Sequence, residues 1–200
     1  YYIVDAKSGI SSLIMEERDD AWIDVRSSWP YQDQAGWKFI KNGKEFLYTT
    51  EKDGWSHIYR FNIKSKKEYL MTKGKYDVVK PLAYDEKNEE VYFIASPNNP
   101  TERYLYKSSE NSKHQLITPK KLAGTHSYQI STKLKYAFHS FSNYFTRPMQ
   151  ALIKLQNHQF INDDENMLKK YDESKKAEHP LEFFQITTVS TIVTGTMFLM

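Results

Sequence analysis

Serine, histidine and paired carboxylates are the residues of this sequence suited to chemistry, and their spacing decides what that chemistry could be. A serine nucleophile needs a sharp strand-to-helix elbow, Gly-x-Ser-x-Gly, with Asp and His later in the chain. The nearest approach is Gly9-Ile10-Ser11-Ser12-Leu13, which fails at its last position. The six histidines stand at 57, 114, 126, 139, 158 and 179, with no pair four residues apart and no His-Glu-x-x-His. A helical metal site therefore has no basis. Acidic pairs occur at Glu16-Glu17, Glu89-Glu90 and Asp163-Asp164. Two neighbouring carboxylates can hold an ammonium group, and two carboxyls set ~5 to 9 Å apart across a cleft can hydrolyse a glycoside. All three pairs fall in polar stretches between apolar runs, so they read as solvated connection and turn residues. The seven glycines are spread singly, which leaves no phosphate-cradling loop. No metal and no cofactor is expected.

The bulk composition narrows the field further. The net charge of +3, from 28 basic and 25 acidic residues, is too even to argue for nucleic acid as a partner. The basic clusters at Lys64 to Lys67 and Lys120-Lys121 sit where turns are expected. Cysteine is absent, which excludes disulfides and thiolate chemistry and leaves the compartment open. No apolar run reaches the ~18 to 20 residues of a membrane-spanning helix. Asn99-Pro100-Thr101 is blocked as a glycan acceptor by its Pro. The sequence begins at Tyr1 with neither an initiator Met nor a leader pattern, which reads as a segment of something longer.

The elements that would position any site come from an internal repeat. Gly43 to Tyr48, Asn88 to Phe93 and Lys133 to Phe138 each run from a polar turn into an apolar strand, 45 residues apart each time. Ile58-Tyr59-Arg60, Leu105-Tyr106-Lys107 and Leu152-Ile153-Lys154 repeat at a spacing of 47. A further strand follows in each unit, at Tyr69 to Thr72, Gln115 to Thr118 and Gln159 to Ile161. Short opening strands appear at Val79 to Tyr84 and Ser127 to Ile130. Four short strands per ~45 residues is the period of a β-propeller blade, whose two faces are buried by its neighbours. Asn42-Gly43, Asp53-Gly54 and Asp85 to Asn88 have turn chemistry.

Tyr2 to Asp5 and Ser11 to Met15 match the second half of a blade. Phe183 to Thr188 and Thr191 to Met200 form a last hairpin, with its turn placed near Thr194-Gly195. The fold class expected is all-β, a partial β-propeller of about three and a half four-stranded blades from a larger ring. Its divisions are a half blade at 1–16, a linker at 17–36, and blades at about 37–78, 79–126 and 127–162. A polar linker, or a short helix, follows at 163–180, then the hairpin at 181–200. The alternative is a small sealed ring in which the last hairpin pairs with the first half blade. Open blade edges at both ends would favour self-association.

The run Glu51-Lys52-Asp53-Gly54-Trp55-Ser56-His57-Ile58-Tyr59 resembles the dipeptidyl peptidase IV family of serine peptidases. So do, in order, Leu70 to Val78, Val91-Tyr92-Phe93 and Glu102 to Lys107. In that family this succession lies in the later blades of an eight-bladed propeller. The tail from Leu181 resembles the first strands of the α/β-hydrolase domain that follows. The resemblance implies a parent enzyme that removes dipeptides, often after Pro, using a serine, Asp and His absent from this segment. It implies peptide substrates, the parent's own hydrolase domain as a partner, a possible homodimer, and an extracytoplasmic location. It also implies a substrate contact for Arg26, downstream of Trp22. The family's amino-group-binding glutamates lie earlier in the propeller, so Glu16-Glu17 is not that pair. From the residues themselves, Trp55 and Tyr59 read as packing between blades and His57 as a hydrogen-bonded structural residue. The alternative function is a non-catalytic propeller scaffold, since that fold serves many functions.

Overall fold

The computed structural model describes residues 1–23, 37–110, 112–144, 146, 148–161, 181–187 and 192–198. Within them the strands are β1 (Tyr2–Val4), β2 (Ser11–Leu13), β3 (Trp37–Ile40), β4 (Glu45–Thr50), β5 (His57–Asn62) and β6 (Lys67–Leu70). These are followed by β7 (Val78–Asp85), β8 (Glu90–Ala95), β9 (Tyr104–Ser109), β10 (Gln115–Leu116), β11 (Thr125–Ile130) and β12 (Tyr136–Ser142). The last four are β13 (Met149–Lys154), β14 (Gln159–Phe160), β15 (Leu181–Thr187) and β16 (Ile192–Phe198). They form three four-stranded sheets, β3 to β6, β7 to β10 and β11 to β14, in each of which strand order follows chain order. Two two-stranded sheets, β1-β2 and β15-β16, stand apart from these. Among the described residues β15 and β16 pair with each other and with neither strand of the first half blade. The chain divides into two compact units, one of residues 1–95 and 106–115 and the other of 96–105 and 116–200.

The repeat in the sequence has a physical counterpart in each sheet. Thr72 Oγ1 accepts the backbone N–H of Ile58 at 2.9 Å, and Thr118 Oγ1 accepts that of Leu105 at 2.9 Å. Each Thr closes the end of its sheet where the outer strand runs out of backbone partners. Val78 N donates to Ser56 O at 2.7 Å. At the next repeat, Arg103 N donates to Gly124 O and His126 N to Arg103 O, at 3.1 and 3.0 Å. The turns use left-handed residues at matching places: Lys66 and His158 precede the outermost strand, and Glu89 and Leu134 lie ahead of the second, with φ of 53–55°. Asn42 adopts φ 55° and Gly54 φ 91°, as expected of turn residues that tolerate positive φ.

Pro81 lies within β7 and is accommodated because β7 is the edge strand of its sheet and carries register shifts around it. The core of the first unit is aromatic. Met15, Phe46, Tyr48, Tyr59 and Phe61 form one buried cluster, with Tyr1, Ile14, Ile63 and Leu70 packed against it. Phe46 and Phe61 stack at 5.0 Å. Tyr1, Ile14 and Met15 of the first half blade thus contribute to the same core as the first four-stranded sheet.

Two placements differ from the sequence reading. The last hairpin does not turn at Thr194-Gly195; Gly195 pairs with Phe184 inside β16, and Thr194 with Gln185. The flanking Ile192, Val193 and Thr196 carry that stretch through as strand in spite of the glycine. Trp55 is 38% exposed and lies ahead of β5 rather than in it, so it does not serve as buried packing. Tyr59 does, in the aromatic cluster. The expected linker or helix at 163–180 lies outside the described residues.

Candidate functional site

In the first unit, the turn at Asp53-Gly54 brings a carboxylate back onto the start of β5. Asp53 Oδ2 lies 2.8 Å from His57 Nδ1, and its Oδ1 accepts the N–H of Trp55 at 3.3 Å. An Asp behind a His fixes the tautomer and ring orientation, as in hydrolase relays. The other ring nitrogen decides whether such a pair can act. His57 Nε2 is buried with no hydrogen-bond partner. The ring meets Tyr76 edge-on at 5.6 Å. Among the described residues no hydroxyl is hydrogen-bonded to it, and the Asp53–His57 contact ties the turn to the start of β5. Gly74 permits this packing, since a Cβ there would come within 2.1 Å of the Tyr76 ring.

Arg60, on β5, is the centre of a charge network. It is 7% exposed. Its Nη2 donates to Glu110 Oε2 at 2.8 Å and its Nη1 to Glu89 Oε1 at 3.3 Å. Glu45 Oε2 lies 3.5 Å from the guanidinium and from Lys41 Nζ. Lys41 also donates to Glu89, at 2.5 Å. Burial opposes the charge on Arg60, but Glu45, Glu89, Tyr84 and Glu110 outweigh it and raise its pKa. The hydrogen bond from Lys41 holds Glu89 below the ordinary glutamate value, and the same bond raises Lys41. Glu90, at the start of β8, takes two 2.9 Å bonds from Lys107 Nζ. Glu89 and Glu90 are therefore ion-paired, not the merely solvated turn residues that the sequence suggests.

Glu16 and Glu17 line a cavity of about 450 Å³ with Tyr1, Tyr2, Leu13, Met15 and Ile23. Glu16 is exposed and bound by Arg18 at 2.6 Å. Glu17 is partly buried; its Oε2 accepts the Tyr1 hydroxyl at 3.3 Å. Burial, with Glu17 adding to it, pushes the Tyr1 phenol up to about 12. The two carboxylates thus have different partners and do not form one cation clamp. Arg26 and Asp163-Asp164 lie outside the described residues. Among the described residues no group of three or more His, Asp or Glu is disposed to hold a metal ion.

In the second unit three histidines that look scattered in sequence come together. His126 on β11 and His139 on β12 share a hydrogen bond of 2.8 Å, Nδ1 to Nε2. His158, in the β13-β14 turn, reaches the Tyr128 hydroxyl at 2.9 Å through Nε2. Thr118 Oγ1 lies 2.9 Å from the same hydroxyl. All three rings are buried. The signal in the sequence is alternation: His126-Ser127-Tyr128 and His139-Ser140-Phe141 put their rings on one face of a hairpin once Tyr128 pairs with His139. The cluster is a packed, hydrogen-bonded wall without a nucleophile.

Comparison with known proteins assigns this architecture. The crystal structure of Porphyromonas gingivalis dipeptidyl peptidase 4 superposes over 98% of this chain and 27% of its own, with a TM-score of 0.75 at 23% identity. The fold is that of a partial, all-β propeller. A family model described as "Dipeptidyl peptidase IV (DPP IV) N-terminal region" matches residues 1–148, and the chain belongs to that family. Dipeptidyl peptidase 4 of Trichophyton rubrum is 30% identical over 189 residues, covering 88% of this chain and 22% of that protein. Dipeptidyl peptidase 4 of Arthroderma otae is 33% identical over 121 residues, covering 58% of this chain and 15% of its own length. The chain spans about a fifth of the Trichophyton relative's length, 22%.

Proposed function

We propose that this chain is a propeller segment of a dipeptidyl peptidase IV-like serine exopeptidase, in which it gates and orients peptides for removal of N-terminal dipeptides, with Pro preferred second. The observation that carries the reading is the family match over residues 1–148. The bond-breaking serine, Asp and His would come from an α/β-hydrolase domain outside these 200 residues. In this reading residues 1–162 form the propeller part, with a half blade at 1–16, a linker at 17–36 and blades at about 37–78, 79–126 and 127–162. Residues 163–180 link it to the first hydrolase strands at 181–200, and Arg26 contacts substrate. The parent would act outside the cytoplasm and could pair as a homodimer.

The division of labour has a physical basis. Blades closed around a channel admit a narrow extended chain and exclude a folded domain, so the wall supplies selection while the other domain supplies chemistry. The test uses the longer protein that carries these residues. A short peptide with Pro second should be trimmed, while the same residues tightly docked at the terminus of a folded domain should be spared. Arg26→Ala should raise KM about tenfold, the size of a lost charge-assisted bond. Equal trimming of both substrates would overturn the gating role. Full occupancy by peptide without any turnover would favour the non-catalytic scaffold.

A further inference from the structure

The imidazole cluster of the third four-stranded sheet has a hydrogen-bond pattern that neutral rings complete. Leu122 O, which can only accept, lies 2.8 Å from His126 Nε2, so that nitrogen carries the proton. In a neutral His126 ring Nδ1 must then accept, and His139 Nε2, 2.8 Å away, must donate. On the other side, the Leu105 N–H, Thr118 Oγ1, Tyr128 hydroxyl and His158 Nε2 run in series, each step 2.9 Å. One proton lies between each pair of polar atoms, and a neutral His158 completes the series.

Among the described residues no carboxylate hydrogen-bonds any of the three rings, so added charge has no counter-ion beside it. The His126 and His139 rings stack with centroids 5.1 Å apart, and the His158 ring meets His139 edge-on at 4.7 Å. Protonating both His126 and His139 would set two N–H groups head to head. The space beside His139, walled by Phe141, Met149, Ala151 and Phe160, is about 10 Å³. That is room for one water at most, not for the hydration shell of an imidazolium. His158 adopts a left-handed backbone, φ 53°, and its Nε2 lies 2.9 Å from the Tyr128 hydroxyl.

We propose that the third four-stranded sheet is an acid-sensitive latch, packed while its imidazoles are neutral and loosened when they charge.

The titratable groups facing the cluster do not relieve it. Tyr104 stacks on His126 at 5.4 Å, and its hydroxyl is held by Glu102. Tyr128 stacks on His139 at 4.6 Å. Lys120 and Lys121, before Leu122, and Lys154, on β13, are exposed. Burial pushes His126 and His158 down to about 4, and burial followed by its histidine neighbours pushes His139 down to about 3. Each ring is thus depressed below the ordinary ~6.5. The unfolded sheet takes up protons that the folded sheet refuses, so the stability present above about pH 6.5 is lost as pH falls toward 4.

The test is hydrogen exchange of the full chain, corrected for intrinsic rates, read on peptides covering β11-β12 and β4-β5. Between about pH 6 and 5 each imidazole should favour opening of β11-β12 by about sevenfold, up to about four hundredfold for three. The double variant His139→Gln/His158→Gln keeps polar partners at the Nε2 positions and leaves one titrating ring, so about sevenfold should remain. Equal opening of β11-β12 at both pH values, or an unchanged slope in the variant, would overturn the proposal. Histidine-selective NMR of the unsubstituted chain decides the matter even if the variant does not fold. Resonances silent down to about pH 5 support the latch, and three rings titrating near the ordinary value refute it.

Discussion

The first and third four-stranded sheets share strand order and repeat register but bury polar groups in opposite ways. Around β4 and β5, Arg60 and Lys41 are set against Glu45, Glu89 and Glu110, a network of full charges. Around β11 and β12, the buried polar groups are three imidazoles, a phenol and a threonine hydroxyl, all neutral. The contrast teaches that blade topology tolerates either solution, while the response to solvent does not carry over from one to the other. Charge pairs depend on salt and on carboxylate protonation. Neutral imidazoles depend on staying unprotonated near pH 6 and below.

The largest expected effect lies in the apolar frame common to both solutions. Phe46 is fully buried, stacked on Phe61 and edge-on to Tyr48, so Phe46→Ala should cost about 3–5 kcal/mol in denaturant unfolding. Arg60→Met should follow at about 3 kcal/mol, because it leaves buried Glu45 with one of its two counter-charges, Lys41. A near-neutral Arg60→Met would mean that the network is solvated and the comparison false.

Paired substitutions at equivalent threonines sharpen the contrast. Thr72→Val strands the Ile58 N–H and should cost about 1–3 kcal/mol. Thr118→Val strands the Leu105 N–H and also removes a partner of Tyr128, so it should cost more and should blunt the acid response of β11-β12. Equal costs and equal pH profiles would dissolve the distinction. The smallest effect belongs to Lys107→Met, whose partly exposed bond to Glu90 is worth under about 1 kcal/mol.

The pH profiles of the two sheets should separate by sign of shift. Glu89 is depressed, so its contribution is present above the ordinary ~4.5 of a glutamate and fades only as pH falls below it. The imidazoles withdraw support earlier, from about pH 6.5 downward. Circular dichroism melts at about pH 5 should therefore show β11-β14 loosened while β3-β6 holds, as two transitions where neutral pH gives transitions closer together.

Much of this was legible in the residues, for identifiable reasons. The 45-residue spacing and the apolar runs in Glu45 to Thr50 and Glu90 to Ala95 reflect strands buried on both faces, so element positions could be read directly. Thr194-Gly195 misled because a lone glycine among β-branched neighbours is compatible with strand as well as turn. The polar networks were hidden for a different reason. Arg60 is 29 residues from Glu89 and 50 from Glu110, and no local pattern links them. His126 and His139 meet only once hairpin register is set, and His158 only after the next turn. Histidine spacing along one helix does not report a cluster built from two strands and a turn.

The proposed function is tested by what a protein carrying these residues together with a hydrolase domain does to a peptide. The direct measurement is the mass of the first product released from an unmodified peptide with Pro at its second position. A free N-terminal dipeptide, lost when a serine-directed acylating reagent is added first, is the predicted result. Release of a single residue, internal cleavage, or an intact peptide would contradict it.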